Sequence, residues 1–336
     1  MHAVDDEPFD VDAVQAGAWA PSPYGPGDKL GTYNEVTPAK RAAAIAMLDP
    51  NRAICTFSLG ATLDEEFPGF GGRTYQQSFV VSGFETTGAE VLRARPRGQN
   101  RLSALEERVQ FTYNMGAKIN GLHHCGVGST GYDGCDLAAL VEAGARAYDT
   151  TTWGPPLLTR GLLVDVLALK LEQGESGALS TTMDGRPLLH DDYRVTVEDY
   201  EAAIARQGLP AFEPGDVILL HTGWQRLVRS DPDRYLKSNP GPWLRESRWL
   251  AQFRPAVIGG DTWCWETVDP GVNGRLASPC HQELSMKFGI RLGEGLRLDD
   301  LVDAGVDRFV FCHAPLPATG AVSSNAPPLA IANEPA

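Results

Sequence analysis

The sequence predicts an α/β domain built around a largely buried sheet. Three observations carry that reading. In the second half of the chain, strand-like segments alternate with segments of helical spacing. Several strand-like segments, GLLVDVLAL (161–169) above all, are apolar along their length instead of at every second residue, the pattern of strands covered on both faces. No internal repeat or low-complexity linker divides the 336 residues. One domain over 31–336 behind an N-terminal arm of 1–30 is therefore the simplest organisation, although length alone would also suit two domains.

The elements follow in order. The arm is rich in Pro, Gly and acid and reads as extended. A helix over AKRAAAIAML (39–48) is announced by Thr37 as cap and Pro38 at its first position. ICTFSL (54–59), SFVVSG (78–83) and RVQFTY (108–113) read as strands, and the basic run LRARPRGQNR (92–101) as a solvated loop. LAALVEAGARA (137–147) has helical spacing, GLLVDVLAL (161–169) is a strand, and VTVEDYEAAIARQGL (195–209) is a helix capped by Thr196 and closed by Gly208. GDVILLHTGW (215–224) and PAVIGGD (255–261) read as strands on either side of the helix RESRWLAQF (245–253). HQELSMKFGI (281–290) and RLDDLVDAG (297–305) read as helices, and RFVFCHAPL (308–316) and PPLAIA (327–332) close the chain as strands.

Composition narrows the function classes. Apolar residues make up 43% and charged residues 21%, ordinary globular values that exclude a disordered chain, a fibre and a coiled coil. The 29 Lys and Arg against 43 Asp and Glu give a net charge of −14. A surface this acidic repels phosphate backbones and anionic lipid, so neither nucleic acid nor membrane is expected as a partner. No apolar run approaches a membrane span, and the acidic N-terminal residues do not resemble a secretory signal. The six cysteines, at 55, 125, 135, 264, 280 and 312, form no CxxC pair and read as reduced thiols of a cytoplasmic protein.

Two stretches hold candidate chemistry. NGLHHCGVGSTGYDG (120–134) places His123, His124 and Cys125 among glycines, which let a backbone approach a ligand closely. It lacks the ending of a phosphate loop. SPCHQELSMKFGIRLGEGL (278–296) places His281 at a helix start and Glu294 beyond the Gly289 break. Upstream, GGDTWCWE (259–266) ends a strand with Asp261 and Glu266 near Trp263 and Trp265, and strand ends are where α/β folds bind ligands. His221, inside an apolar strand, reads as a core histidine, and His190, in a polar turn, as solvated.

GPGDKLGTYNEVTPAKRAAA, HTGW after GDVILL, GGDTWCWE, HQEL…GIRLGE and the APLPATGAVSS…PPLAIA tail occur in that order. In this the chain resembles the larger members of the cyclase family, the group that includes bacterial kynurenine formamidases and isatin hydrolases, over roughly residues 25 to 332. The resemblance implies a compact α/β fold described as a swivelling β/β/α domain with a mixed central sheet, assembled as a homodimer or homotetramer. It implies hydrolysis of amides or lactones of small cyclic or aryl substrates, with Zn²⁺ or Mn²⁺ activating water. In that family the ligands come from an H-x-G-T-H-x-D-x-P-x-H segment, or GLTHWDALSH in larger members, plus a later His and Glu. Carried over by position, His124 matches the central His, His281 the later His and Glu294 the later Glu. The Asp after the central His is Gly126 here, the closing His falls near Thr130, and the first His falls at Asn120.

That departure leaves three outcomes. His124, His281 and Glu294 could hold one metal with an open position for water, with Cys125 or His123 in place of the lost Asp. Alternatively, no metal is held and the same three residues act as acids and bases in a cyclisation, dehydration, ring opening or isomerisation, in specialised metabolism. Glu294 would then raise an imidazole pKa or itself stay protonated. Gly126 would enlarge the pocket, and His123, Tyr132, Asp261 and Trp263 would line it or orient an imidazole. In the third outcome the chain only binds a ligand. A Cys125–His124 dyad is disfavoured because neighbours on an extended chain face opposite ways.

Overall fold

The computed structural model describes residues 8–81, 98–102, 104–268 and 276–334. The strands among them are β1 (Ile54–Ser58), β2 (Tyr75–Val81), β3 (Leu105–Phe111), β4 (Lys118–Asn120), β5 (Leu157–Asp165), β6 (Leu179–Thr181), β7 (Pro187–Leu189), β8 (Val217–His221), β9 (Val257–Gly260), β10 (Arg291–Glu294), β11 (Arg308–His313), β12 (Ser323–Ser324) and β13 (Leu329–Asn333). Nine form one mixed sheet in the order β1-β13-β11-β5-β8-β9-β10-β4-β12. Its centre, β5-β8-β9-β10, is parallel. Antiparallel pairs extend it on both sides.

The apolar central strands follow from burial on two faces. Successive side chains on a strand point to opposite faces. Ile218 and Leu220 join Leu162, Val164, Ile258 and Tyr200 in one core, while Val217 and Leu219 join Leu163, Val257, Phe309 and Phe311 in the other. Each fully buried aliphatic side chain contributes about 1.5–3 kcal/mol. The helix Val197–Gln207 covers the first face. It opens with a reciprocal cap between Thr196 and Asp199 and closes at Gly208 in the left-handed region, as its sequence predicts. Thr37 likewise caps the helix Pro38–Ile45.

Several elements differ from expectation. GLLVDVLAL is not one strand: β5 starts earlier and ends at Asp165, where the helix Val166–Gln173 begins. Both pieces are buried, so hydrophobicity cannot separate them, but the Asp165 carboxylate accepts from Ala168 N and caps the helix. The helix expected over 137–147 stops at Glu142, with Gly144 at φ 71° in the turn beyond it. The helix expected over 281–290 is a short α-helical turn, Pro279–Gln282, followed by a widened π-type turn, Glu283–Lys287. The next segment is β10, which hydropathy does not single out. The strands expected at 78–83 and 108–113 are displaced into the exposed β2–β3 ribbon. Residues 82 and 83, and 92–97 of the basic run, lie outside the described residues. Among the described residues no helix is long and apolar enough to cross a membrane.

The candidate active site

The site forms where the parallel strands end. Glu294 is the last residue of β10, and Asp261 through Glu266 continue from β9. Short β4 lies antiparallel to β10 with Lys118 directly opposite Glu294. Lys118 and Asn120 share a strand face and both reach the same carboxylate oxygen, Lys118 Nζ at 3.0 Å and Asn120 Nδ2 at 2.8 Å from Glu294 Oε2. The other oxygen, Oε1, accepts from Trp265 N at 2.8 Å and faces His281 Nε2 at 2.8 Å. His281 Nδ1 contacts Glu266 Oε2 in a short hydrogen bond, and its backbone N donates to Glu266 Oε1 at 3.3 Å. His281, Glu266, Glu294 and Lys118 are all buried.

Charge in this cluster is set by contact. Burial disfavours the imidazolium of His281, but Glu266 and Glu294 outweigh it and hold the pKa well above the ordinary histidine value. Burial alone would raise the Glu294 pKa. The Lys118 ammonium and the His281 imidazolium reverse that and hold it far below the usual carboxylate range. Glu294 does raise an imidazole pKa, as expected, but it does not stay protonated itself. His124 is the opposite case. Its Nε2 contacts Asn114 Nδ2 at 3.0 Å and its Nδ1 faces Ser323 Oγ at 3.5 Å. Burial and the positive charge of His281 push its pKa down to about 4, so it is neutral.

The other candidates are placed as follows. His123 turns to an aromatic cluster, its ring 3.8 Å from that of Tyr148 and edge-on to Tyr132 at 5.9 Å. Burial lowers its pKa to about 4. The Tyr132 hydroxyl donates to Asp28 Oδ2 at 2.7 Å and lies 2.6 Å from Ser22 Oγ, tying the ring to residues of the arm. Asp261 accepts from Thr222 N and Oγ1 and from Gly223 N, and its carboxylate lies 4.0 Å from His221 Nε2, not beside His281. Trp263 stacks on Phe70 with centroids 4.5 Å apart, and its carbonyl accepts from Lys118 Nζ at 3.2 Å. A narrow cavity of about 20 Å³ is lined there by Phe67, Phe70, Arg73, Asn114, Lys118 and Trp263. Gly126 does not enlarge it. Residues 127–130 fold back through paired backbone bonds, and a Cβ at Gly126 would stand 2.6 Å from Thr130 O and 2.3 Å from Leu137 Cδ1.

Sequence reasoning missed Lys118, Asn120 and Asn114 and gave Glu266 no role. A signal exists in KIN (118–120): two polar residues at alternate positions flank an apolar one in a buried strand. Their partner, however, is set by sheet register, which local sequence does not encode.

Buried acids, bases and a cation thus gather at the ends of the parallel strands, where sheets of this kind bind ligands. The family described as Putative cyclase matches residues 57–267, and the chain belongs to that family. Among solved structures, one described as a novel cyclase matches at 25% identity and TM-score 0.75, covering 91% of this chain and 97% of that one. Isatin hydrolase A from Ralstonia solanacearum matches in fold at 18% identity and TM-score 0.58, covering 98% of this chain and all of that one (100%). A protein described as a potential metal-dependent hydrolase with cyclase activity matches in fold at 19% identity and TM-score 0.51, covering 83% and 99% of the two chains. No curated protein matches the sequence.

The family and these neighbours are cyclases and hydrolases, some described as metal-dependent, so the fit of a metal has to be tested on the residues. Cys264, His281 and Glu294 bring one ligand atom each to within 4.8 Å of one another, the spacing of a candidate metal site. Their chemistry does not match that spacing. A divalent ion needs a neutral imidazole and a thiolate. Here both His281 nitrogens face carboxylates, the Cys264 thiol donates to Glu266 Oε2 at 3.7 Å, and an ammonium already pairs with Glu294. His124 and Cys125 are not part of the set. As arranged, the residues do not fit a divalent ion.

Proposed function

We propose that this chain is a small-molecule enzyme that performs acid–base chemistry at a carbonyl, hydrolysing a cyclic amide or lactone or running the related ring closure or dehydration. The observation that carries the reading is a pair of imidazoles in opposite settings. His281 is gripped at both nitrogens by carboxylates, whereas the His124 ring meets the neutral Asn114 and Ser323 among the described residues. Environments that drive two titratable groups apart assign an acid side and a base.

His124 is the base. In hydrolysis it takes a proton from water as the water oxygen bonds to the carbonyl carbon, and the C=O π pair moves onto the carbonyl oxygen. When that pair returns, the ring C–N or C–O bond breaks, and the leaving nitrogen or oxygen takes the proton from His124. In ring closure the substrate's own hydroxyl or amine replaces the attacking water, and the acyl C–OH bond breaks, its oxygen taking the proton from His124 and leaving as water. The stacked Trp263 and Phe70 offer a flat wall for a cyclic substrate. Likeness in fold to an isatin hydrolase supports a bicyclic lactam as the first compound to try. Assembly as a homodimer or homotetramer and a place in specialised metabolism belong to the same proposal.

The test is turnover of isatin and simple lactones, each offered ring-closed and ring-opened, by the wild type and His124→Ala. The variant is expected to lose about 10²–10⁴ in kcat with little change in KM. A His124→Ala chain at full rate overturns the assignment.

A further inference from the structure

We propose that Lys118 is the resident cation of this site: its ammonium holds Glu294 against any divalent ion and presents positive charge to the narrow cavity beside Phe70 and Trp263 in the ion's stead. The argument is geometric. Lys118 is buried, stands opposite Glu294 in the β4–β10 register and reaches the carboxylate at 3.0 Å. It also donates to Trp263 O at 3.2 Å. An ammonium has three N–H donors. The third has no acceptor among the described residues, and Lys118 lines the cavity under Phe70 and Trp263. That N–H suits a carbonyl oxygen on which negative charge grows, the place where a fixed, desolvated cation helps most.

Charge balance points the same way. Glu294 already has a cation partner, because Lys118 Nζ reaches Oε2 while His281 faces Oε1. The position that matches the family's aspartate is closed as well, because a side chain at Gly126 would run into the backbone of Thr130. An ion entering here would meet an ammonium across Glu294 and find no added carboxylate to offset it.

The inference deepens the acid–base reading and rests on it for the role of the cavity-facing N–H, but its test does not depend on turnover. The full chain is expressed with zinc and manganese supplied and purified without chelator. Metal content is then measured by mass spectrometry, and zinc chloride is titrated calorimetrically into the wild type, Lys118→Arg and Lys118→Met. The wild type and Lys118→Arg are expected to carry well under one metal per chain. Lys118→Met is expected to bind zinc about 10⁶-fold more tightly, the effect of removing a unit charge about 4 Å from a doubly charged ion at an effective dielectric of about 20. About one metal per wild-type chain overturns the proposal. So does zinc binding by Lys118→Arg equal to that of Lys118→Met, or a Lys118→Met chain that binds none. If Lys118→Met does not fold, Lys118→Gln, whose amide still donates to Glu294, carries the same comparison. If the acid–base reading alone is wrong, the zinc comparison still succeeds while no carbonyl compound in the panel turns over.

Discussion

Replacing Glu266 by glutamine tests the clamp on His281 most directly. The substitution keeps the shape and removes one of the two carboxylates that touch the imidazole, leaving Glu294 at 2.8 Å. A unit charge about 4 Å away at an effective dielectric of about 20 contributes about 4 kcal/mol, which corresponds to about 3 pH units. Glu266→Gln is therefore expected to lower the His281 titration midpoint by about that amount. The assay is NMR of the histidine ring protons from acid to alkaline pH, with His281 assigned from its own substitution. In the wild type the His281 resonance should not titrate through neutrality, and in the variant it should move toward the ordinary range.

Stability gives a second readout of the same change. The folded-state pKa of His281 is raised, so its ion pairs stabilise the fold fully below an unfolded-state pKa of about 6.5 and are lost as pH rises through the folded value. Removing one buried partner costs about 3–5 kcal/mol. The variant should trail the wild type most at acid and neutral pH in urea unfolding, and the gap should narrow in alkali. A wild-type His281 that titrates near 6.5, or a midpoint that Glu266→Gln leaves in place, refutes the reasoning.

Other predictions concern the frame around the site. His221 lies between Asp165, at 2.8 Å from Nδ1, and Asp299, at 3.1 Å from Nε2. Burial works against its charge, but these carboxylates outweigh it and raise its pKa to about 10. The wild-type urea midpoint should therefore fall as pH rises from about 6.5 toward that value, and His221→Asn should flatten this slope; equal slopes would contradict the pairing. Gly126→Ala should destabilise by about 1–3 kcal/mol, read in urea, because its Cβ meets backbone at 2.6 Å; a neutral result would mean the 127–130 turn gives way. Thr196→Ala should cost about 1 kcal/mol through loss of its bond to Asp199 N, without altering zinc binding or turnover.

What was legible in the sequence divides along physical lines. Helix caps are local, and Thr37 and Thr196 stand where their sequences put them. His281 and Glu294 meet because the chain between them makes one wide turn, reverses at Gly289 (φ 67°) and runs straight into β10. Lys118 was not legible. A three-residue strand has too few positions to show a period, and its partner is fixed by pairing with a strand far along the chain. Tyr132 and His123 look like pocket residues from their glycine-rich setting, yet Tyr132 reaches back to Asp28 and Ser22 and the His123 ring packs on Tyr148. Asp165 carries a cap signal inside an apolar run, and it separates strand from helix where hydrophobicity cannot.

The same division separates the two stretches that hold the candidate chemistry. Glu294 is fixed by four donors, from Lys118, Asn120, Trp265 and His281, and each stands on or beside a strand or helix of the buried core. Losing the carboxylate would strand two buried cations, a cost of several kcal/mol. The segment after His124 is a tight turn closed by its own backbone, Val127 N to Thr130 O and Thr130 N to Val127 O. Among the described residues no buried charge takes its partner from the side chains at 126 or 130. On the proposed reading, Lys118 balances Glu294 in place of an ion. The imidazole of His124, held by Asn114 and Ser323, keeps the neutral form that the proposed base needs.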